Sequence, residues 1–535
     1  MTGRSEAEKP SRIPPDKGVI ASTIHGLPVV ARGVDARPSP ERLRALTERM
    51  SSSRVTRFGG VSVRTRVTCR SASSTFIVTD EPGRHRGHAT ISRAIGERIA
   101  RRQDEYIRTR DVLAIDGRIG NDPSSSVPAR LIVEASSPHI AAMQQILYFP
   151  PGVRAAGPFE PALTVIVTPG LTAPGFPDER LIAVDLEQNV TRVFNTDYFG
   201  ESRRGGLRMW SRIVYERGGL PLRGGCKIVP AAGRERVFLI LGRSGTGKTT
   251  TTFARHSGSR AIQDDFVALM PDGRVHPTEN GGLARTAGLS REGEAAIRRA
   301  VLRPTTYLEN VPLRDGEVDF SGGGAAGGGR AIFRLADVEP SVEAAPVDGA
   351  DVLLILNSDE SVIPAVARLT GAQAAAYFTL GETRRTGAGA AGRTLRLPGA
   401  NPFFPLDLAL QGNRFLHILR NSPMEVYLMN TGRIGGGEED GRGRKVGLRH
   451  CSAIIEGIAG GTIYWERDPD FGYDLARLVP GLGGEDECLL HPRAHYARQG
   501  RIDEYRRIVG RLKFERREYL RSLGSLDREI LDAVG

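Results

Sequence analysis

Beyond about residue 40 the chain alternates short apolar, β-branched runs with segments whose apolar residues recur at helical spacing. Phe76-Ile77-Val78, the run from Ala129 to Val133 and the run from Leu163 to Val167 have the length and composition of strands. Ser211 to Gly218 reads as the end of a helix stopped by Gly218-Gly219. The stretch from Ile502 to Leu531 is charged with apolar residues at helical spacing, which predicts a closing amphipathic helix or a pair. Glycine-rich stretches at 321–329, 386–392 and 435–443 cannot pack a core and are expected as surface loops. Residues 1 to about 40 carry Pro, Ser and charge with little periodicity, and are expected as a mobile leader.

Length and composition narrow this picture. At 535 residues the chain exceeds one ordinary core. Two large lobes are therefore expected, 41–225 and 226–535. A hydrophobic content of 39% with 25% charged residues is that of a soluble globular protein. No apolar run is long enough to span a bilayer, and the polar opening lacks the apolar stretch of a signal peptide, so a cytoplasmic location is expected. The four cysteines, Cys69, Cys226, Cys451 and Cys488, show no paired spacing, which argues against disulfides and against a zinc site. A formal charge of +12 raises nucleic acid as a partner. The arginines are dispersed, however, and aromatics make up only 6%, so stacking platforms are scarce. Small anionic substrates account for the same bias.

The sharpest chemical signal is an apolar strand from Arg236 to Leu241 running into Gly-x-x-x-x-Gly-Lys-Thr at Gly242 to Thr249. Phosphates need this order of residues. Glycines let backbone N–H groups approach the oxygens, Lys248 meets the β and γ charge, and the Thr249 hydroxyl is a ligand for Mg²⁺. The Thr-rich segment after it, from Thr250, is expected to open a helix. Some fifteen residues on, Asp264-Asp265 stands inside an otherwise apolar run that continues through Phe266 to Leu269. Two adjacent acids in a buried strand need a cation or proton as partner, and a metal beside a triphosphate is the obvious one. The alternative is a simple turn at a strand end.

Together these residues resemble the ATP-type phosphoenolpyruvate carboxykinases, whose P-loop reads as Ser244-Gly245-Thr246-Gly247-Lys248-Thr249 does, with a second acidic strand like Asp264-Asp265. Thr68 to Val78 resembles the family's substrate-arginine segment, with Arg70 at the arginine that grips the substrate carboxylate. Asp197-Tyr198 to Arg203-Arg204 is similar to its Tyr-x-Gly-Glu-x-Lys-Lys segment, and Gly219 to Arg223 to the stretch that follows. Arg330 falls at its γ-phosphate and substrate arginine, and Arg285 at a nucleotide-contacting lysine. Asn430-Thr431-Gly432 and Ala453 to Ile455 resemble its Asn-Thr-Gly turn and adenine-side helix. The resemblance runs from about residue 60 almost to the end. It implies an α/β fold with an N-terminal lobe and a C-terminal P-loop lobe closing on a cleft, and the conversion of oxaloacetate and ATP to phosphoenolpyruvate, CO₂ and ADP. It also implies ATP contacts from Gly242, from Ser244 through Thr250, and from Arg285, Arg330, Lys445 and Cys451. Substrate contacts would come from Arg70, Tyr198, Arg204, Arg223 and Arg330, and metal contacts from Thr249 and Asp265. Lys248, Asp264, Asp265, Arg330 and Arg204 would carry the chemistry.

Departures from the family pattern alter that expectation. A second metal, usually Mn²⁺, is held in the family by a lysine, a histidine and an aspartate. Here the lysine falls on Arg204 and the histidine on Arg223, leaving only Asp265. Guanidinium has no lone pair to give. The second metal site is thus lost or rebuilt, with arginines supplying charge but no inner-sphere coordination. Lys445 stands where the family has arginine, and Cys451 where it has threonine. The family's lid corresponds to 381–392, with Arg384-Arg385 able to meet phosphate on closure. Three functions remain open: a carboxykinase with an altered metal site, a kinase of the same fold acting on another small acid without decarboxylation, and a nucleotide-binding regulator without turnover. A monomer or small homo-oligomer is expected.

Overall fold

The structure, a computed structural model, describes residues 19–24, 27–152, 159–231, 233–243, 245–255, 258–291, 293–321, 329–339, 342–384, 394–438 and 441–534. Its frame is α/β and rests on two eight-stranded mixed sheets.

The first sheet runs in the order Gly33–Ala36, Asp111–Ile119, Val127–Glu134, Leu163–Thr168, Val190–Phe194, Leu181–Asp185, Thr75–Val78, Thr90–Ile91. Leu163–Thr168 lies between two parallel neighbours and is buried along its whole length, as strands covered on both faces are. The three runs read as strands are all found here. The helix Phe199–Glu216, hereafter the cleft helix, packs against this sheet. It ends at Arg217, and Gly218 turns the chain with φ of 92°, a left-handed conformation that glycine adopts without a Cβ penalty.

The second sheet has the order Arg260–Gln263, Gly224–Ala231, Arg234–Leu241, Val352–Asn357, Glu425–Asn430, Val366–Leu369, Asp474–Leu478, Tyr464–Arg467. Arg234–Leu241, Val352–Asn357 and Glu425–Asn430 are mutually parallel, so the P-loop, Asn357 and the Asn430-Thr431 turn emerge at one edge. Ligands of open α/β sheets bind at the carboxyl ends of such strands.

Three expectations need correction. The leader was expected to reach residue 40, but Gly33–Ala36 pairs in parallel with Asp111–Ile119 as the edge of the first sheet, and Val19–Ile24 pairs with Leu27–Val30. Alternation too short to register as a period in sequence is completed by pairing across 78 positions, where Arg32 and Arg37 also meet Asp111 and Asp116. The division at 225 is crossed by a five-stranded sheet in which Tyr307–Glu309 pairs with Val61–Val63, so 281–334 returns to strands laid down before residue 64. Finally, Asp264-Asp265 does not sit within one strand. Arg260–Gln263 belongs to the second sheet and Val267–Leu269 to a three-stranded sheet with Leu220–Leu222 and Val275–Pro277, and the two acids form the joint between them.

The tail is a pair of helices, Ile502–Ser522 and Arg528–Asp532. Arg516 on the first is buried against Glu382, at 2.8 Å, and Glu382 also takes Arg396 at 3.0 Å. Glu382 stands at the root of the expected lid. Within that lid 385–392, including Arg385, lies outside the described residues, as do 322–328 of the glycine-rich stretches. Among the described residues no helix is long and apolar enough to cross a membrane.

Candidate active site

The P-loop follows from local sterics. Leu239, Ile240 and Leu241 anchor its strand in the core. At Gly242 a Cβ would lie 2.4 Å from the Thr246 hydroxyl. Gly245 and Gly247 take φ of 92° and 82°, and the helix Lys248–Phe253 starts directly after them. Thr246 donates to the Arg243 carbonyl at 2.8 Å and closes the loop on itself; Ser244 lies outside the described residues. From the neighbouring strand, the Thr431 hydroxyl lies 2.9 Å from the Thr246 carbonyl. Lys445 donates to the Thr431 carbonyl at 3.0 Å, so it reaches the loop through a single residue. Cys451 is buried, and burial raises its thiol to about 11.

A compact cluster of buried charge lies beneath the loop. Lys248 Nζ donates to Asp264 Oδ1 at 3.0 Å and also to the Asp264 carbonyl, and stands 3.6 Å from Asp265 Oδ1. Thr249 donates to Asp264 Oδ2 at 2.7 Å. Asp265 Oδ2 takes Arg203 Nη2 at 2.6 Å, and Asp265 Oδ1 faces Arg223 Nε at 3.4 Å. Arg203 also holds Glu279 through two hydrogen bonds, 2.6 and 2.5 Å. Burial by itself would raise the Asp265 carboxyl, but Arg203, then Arg223 and Lys248, outweigh it and hold it well below the usual carboxylate range. Burial raises the Glu279 carboxyl against the opposing pull of Arg203.

On the other side of the cleft helix stands a set of arginines. Arg204 donates to Glu201 at 2.9 Å and lies over the ring of buried Tyr198, 5.5 Å from its centroid. Arg70 is exposed and lines the same cavity as Arg204. Arg330 and Arg285 are cross-strand partners, Arg330 partly buried and Arg285 exposed. Burial lowers the Arg330 guanidinium, as do Arg285, Arg204 and Arg223 around it. Burial likewise lowers Arg243, with Arg223 and Arg70 adding to the effect. Mutual repulsion among cations converging on one cleft is relieved by an anionic ligand.

The geometry changes several assignments made from sequence. Arg204 was expected at the metal-ligand position beside Asp265, but Arg203 is the residue that occupies Asp265, and Arg204 turns to Glu201 and Tyr198. Neighbours in a helix diverge by about 100°, so register alone could not decide between them. Asp265 was expected as a metal ligand, and both its oxygens are engaged by cations. Among the described residues no three His, Cys, Asp or Glu side chains group as a cation site. The Thr249 hydroxyl and Asp264 carboxylate do supply the oxygen donors that a hard cation travelling with a triphosphate takes. Sequence reasoning also passed over Glu279, Glu294 and Glu309. Glu294 accepts from the Thr250 hydroxyl just after the P-loop. Glu309 accepts from the Phe199 N–H at 2.6 Å at the start of the cleft helix. Each is a lone acid with no motif around it, and only the tertiary fold brings it to the cleft.

Comparison with known proteins agrees with this geometry. The sequence profile of the phosphoenolpyruvate carboxykinase family matches residues 33–485. The chain is 30% identical over 408 residues to phosphoenolpyruvate carboxykinase (ATP) of Aeropyrum pernix, covering 74% of this chain and 78% of that protein. It is 28% identical over 482 residues to the enzyme of the same name from Mesorhizobium japonicum, covering 86% and 88%. To phosphoenolpyruvate carboxykinase (ATP) 1 of Moorella thermoacetica it is 27% identical over 478 residues, covering 85% and 88%.

Two outcomes follow from the buried charges. Arg203→Met leaves Asp265 and Glu279 without their shared guanidinium, and denaturant unfolding should show a loss of about 3–5 kcal/mol; a loss below about 1 kcal/mol would contradict the pairing. Burial raises the Glu309 carboxyl from 4.5 to about 8, outweighing the Phe199 N–H hydrogen bond that pulls it down. The folded state therefore keeps a proton that the unfolded state has released, and stability falls as pH rises from about 4.5 to about 8, by at most about 1.4 kcal/mol per pH unit. Glu309→Gln should flatten that slope in unfolding curves taken from pH 5 to 8; parallel slopes for the two proteins would rule out the buried proton.

Proposed function

We propose, because this chain belongs to the phosphoenolpyruvate carboxykinase (ATP) family, that it converts oxaloacetate and ATP to phosphoenolpyruvate, CO₂ and ADP, a step of gluconeogenesis. The observation that carries this reading is the span of the family match, 33–485, which takes in the P-loop, the paired acids and the arginine side of the cleft together. A kinase without decarboxylation and a regulator without turnover draw no support from the comparisons.

In this reading the substrates are MgATP and a small dicarboxylate. The triphosphate lies on the backbone of Gly242, Ser244, Gly245, Thr246 and Gly247. Lys248 and Arg330 meet its γ charge, and Thr249 and Asp264 receive the magnesium that travels with it. Thr250, Arg285, Lys445 and Cys451 border the nucleotide. Arg70, Tyr198, Arg204 and Arg223 hold the acid. Loss of CO₂ leaves the C–C electron pair on the enolate, whose oxygen attacks the γ-phosphorus as ADP departs. Catalysis of such a transfer is mostly positioning and charge stabilisation. Arg203 and Arg223, seated on Asp265, provide fixed positive charge where the family pattern has a metal. A cytoplasmic location and a monomeric or small homo-oligomeric state belong to the same proposal.

A coupled assay for ADP with oxaloacetate as acceptor tests it. Turnover with Mg²⁺ alone is expected, and Lys248→Ala should lower it by about 10²- to 10³-fold while weakening ATP binding. Added Mn²⁺ should leave turnover where Mg²⁺ set it, because guanidinium offers no ligand. No ATP-dependent decarboxylation with either cation would remove the reading, and strict dependence on Mn²⁺ would remove the guanidinium substitution.

A further inference from the structure

Behind Arg70 and Arg204 the cleft continues into a cavity of about 190 Å³. Glu201, Arg204 and Arg208 line it from the cleft helix, spaced at i, i+3 and i+7 and so on one face. Arg70, His88 and Phe403 line it from the facing segments. Arg203, one position away from this face, points instead to Asp265 and the phosphate loop. The cavity is thus a distinct compartment reached from the same helix.

Its polar groups are not balanced among themselves. Glu201 is fully buried; Oε1 accepts from the Ser71 N–H at 2.7 Å and from Arg204 at 2.9 Å, while Oε2 has no partner. Arg208 makes no hydrogen bond or ion pair among the described residues, and its Nη1 is buried and unpartnered. Its guanidinium carbon lies 5.9 Å from the Phe403 ring centroid. Burial lowers Arg208 to about 10 against the opposing attraction of Glu201, and Arg204 adds repulsion. A half-buried guanidinium with a buried, unpartnered nitrogen is costly, and an arriving anion relieves that cost. Arg204 already has Glu201. That leaves Arg208 and Arg70 as two cations, and Glu201 Oε2 as an acceptor in want of a donor.

We propose that this cavity is a second carboxylate subsite, in which Arg208 takes the carboxylate distal to Arg70 and Glu201 Oε2 accepts from a hydroxyl, so that the site binds a small hydroxylated dicarboxylate. The proposal rests on the reading of Arg70 and Arg204 as the acid side of the cleft. Size excludes a nucleotide: the volume admits a small organic acid and no more. A bidentate guanidinium–carboxylate contact gives the subsite its selectivity, since an acid with one carboxylate leaves Arg208 as it is in the empty cavity.

Calorimetric titration of the full chain without nucleotide, using L-malate, succinate and L-lactate, tests this. Malate should bind more tightly than succinate, which lacks the hydroxyl, and at least about tenfold more tightly than lactate, which lacks the second carboxylate. Arg208→Met should weaken malate by about tenfold or more while MgATP binds as before, and Arg208→Lys should restore part of the loss. Lactate binding as tightly as malate, absence of malate binding, or malate affinity indifferent to Arg208→Met would each overturn the subsite. Should Arg208→Met fail to fold, as judged by lost MgATP binding, the comparison of the three acids on the unmodified chain decides alone. Arg208-dependent malate binding in a protein that does not decarboxylate oxaloacetate would remove the family reaction and keep the subsite. Normal decarboxylation with malate affinity indifferent to Arg208 would do the reverse.

Discussion

The salt bridge between Arg203 and Asp265, 2.6 Å long and buried at both ends, fixes the relation of the two sheets at the cleft. Arg203 comes from the helix packed on the first sheet, and Asp265 from the joint where the chain leaves the second. Each charge alone would be costly in that position, and together they require each other's geometry. Glu279 and Lys248 extend the set. Counting Asp264, Asp265 and Glu279 against Lys248, Arg203 and Arg223, three acids face three cations, so the cluster is formally neutral before any nucleotide arrives. A triphosphate entering the P-loop competes with Asp264 for Lys248. The acid it displaces already shares the Thr249 hydroxyl, and there it can receive the cation that accompanies the phosphates. Binding is thereby an exchange of partners within a preorganised cluster.

Placing guanidinium where the family pattern has metal ligands changes the chemistry in a definite way. A divalent cation withdraws electron density through a coordinate bond; an arginine offers hydrogen bonds and a fixed charge. Stabilisation of a developing enolate then depends on how closely the donors are held. Burial is what holds them: Arg203 is nearly excluded from solvent, and its guanidinium is over-determined by two carboxylates. Preorganised donors in a dry site act without reorganisation at the moment of reaction. On the proposed reading, such an arrangement would give up Lewis acidity and keep electrostatic alignment.

Local features of the fold were the legible ones. Strands such as Leu163–Thr168 announce themselves through β-branched runs, and the P-loop through glycines whose φ values are set by sterics within eight residues. What could not be read was any feature made by pairing over long distances. Gly33–Ala36 is a strand because Asp111–Ile119 lies beside it. Asp264-Asp265 looks continuous with Val267–Leu269 because the sequence does not mark a change of sheet; the apolar run simply resumes at Phe266 after the joint. Arg203 and Arg204 are chemically identical neighbours, and only the packing of the cleft helix distinguishes the one that meets Asp265 from the one that meets Tyr198. Glu309 carries no local signal whatever: its significance arises from a parallel pairing with Val61–Val63 that sets it under the first turn of that helix.

The cleft helix carries residues that face both the phosphate loop and the arginine-lined cavity. Arg203 points to the loop side, Glu201, Arg204 and Arg208 to the acid side, and the helix start is pinned by Glu309 through the Phe199 N–H. Gly205 and Gly206 leave room for close packing on the sheet beneath, where a Cβ at Gly205 would lie 2.8 Å from Thr191. A helix seated so closely cannot rotate to improve one side without spoiling the other, because interiors packed at this density yield in discrete steps. On the proposed reading, any movement of Asp265 when phosphate binds would pass, through Arg203, to Arg204 and Arg208 on the same helix.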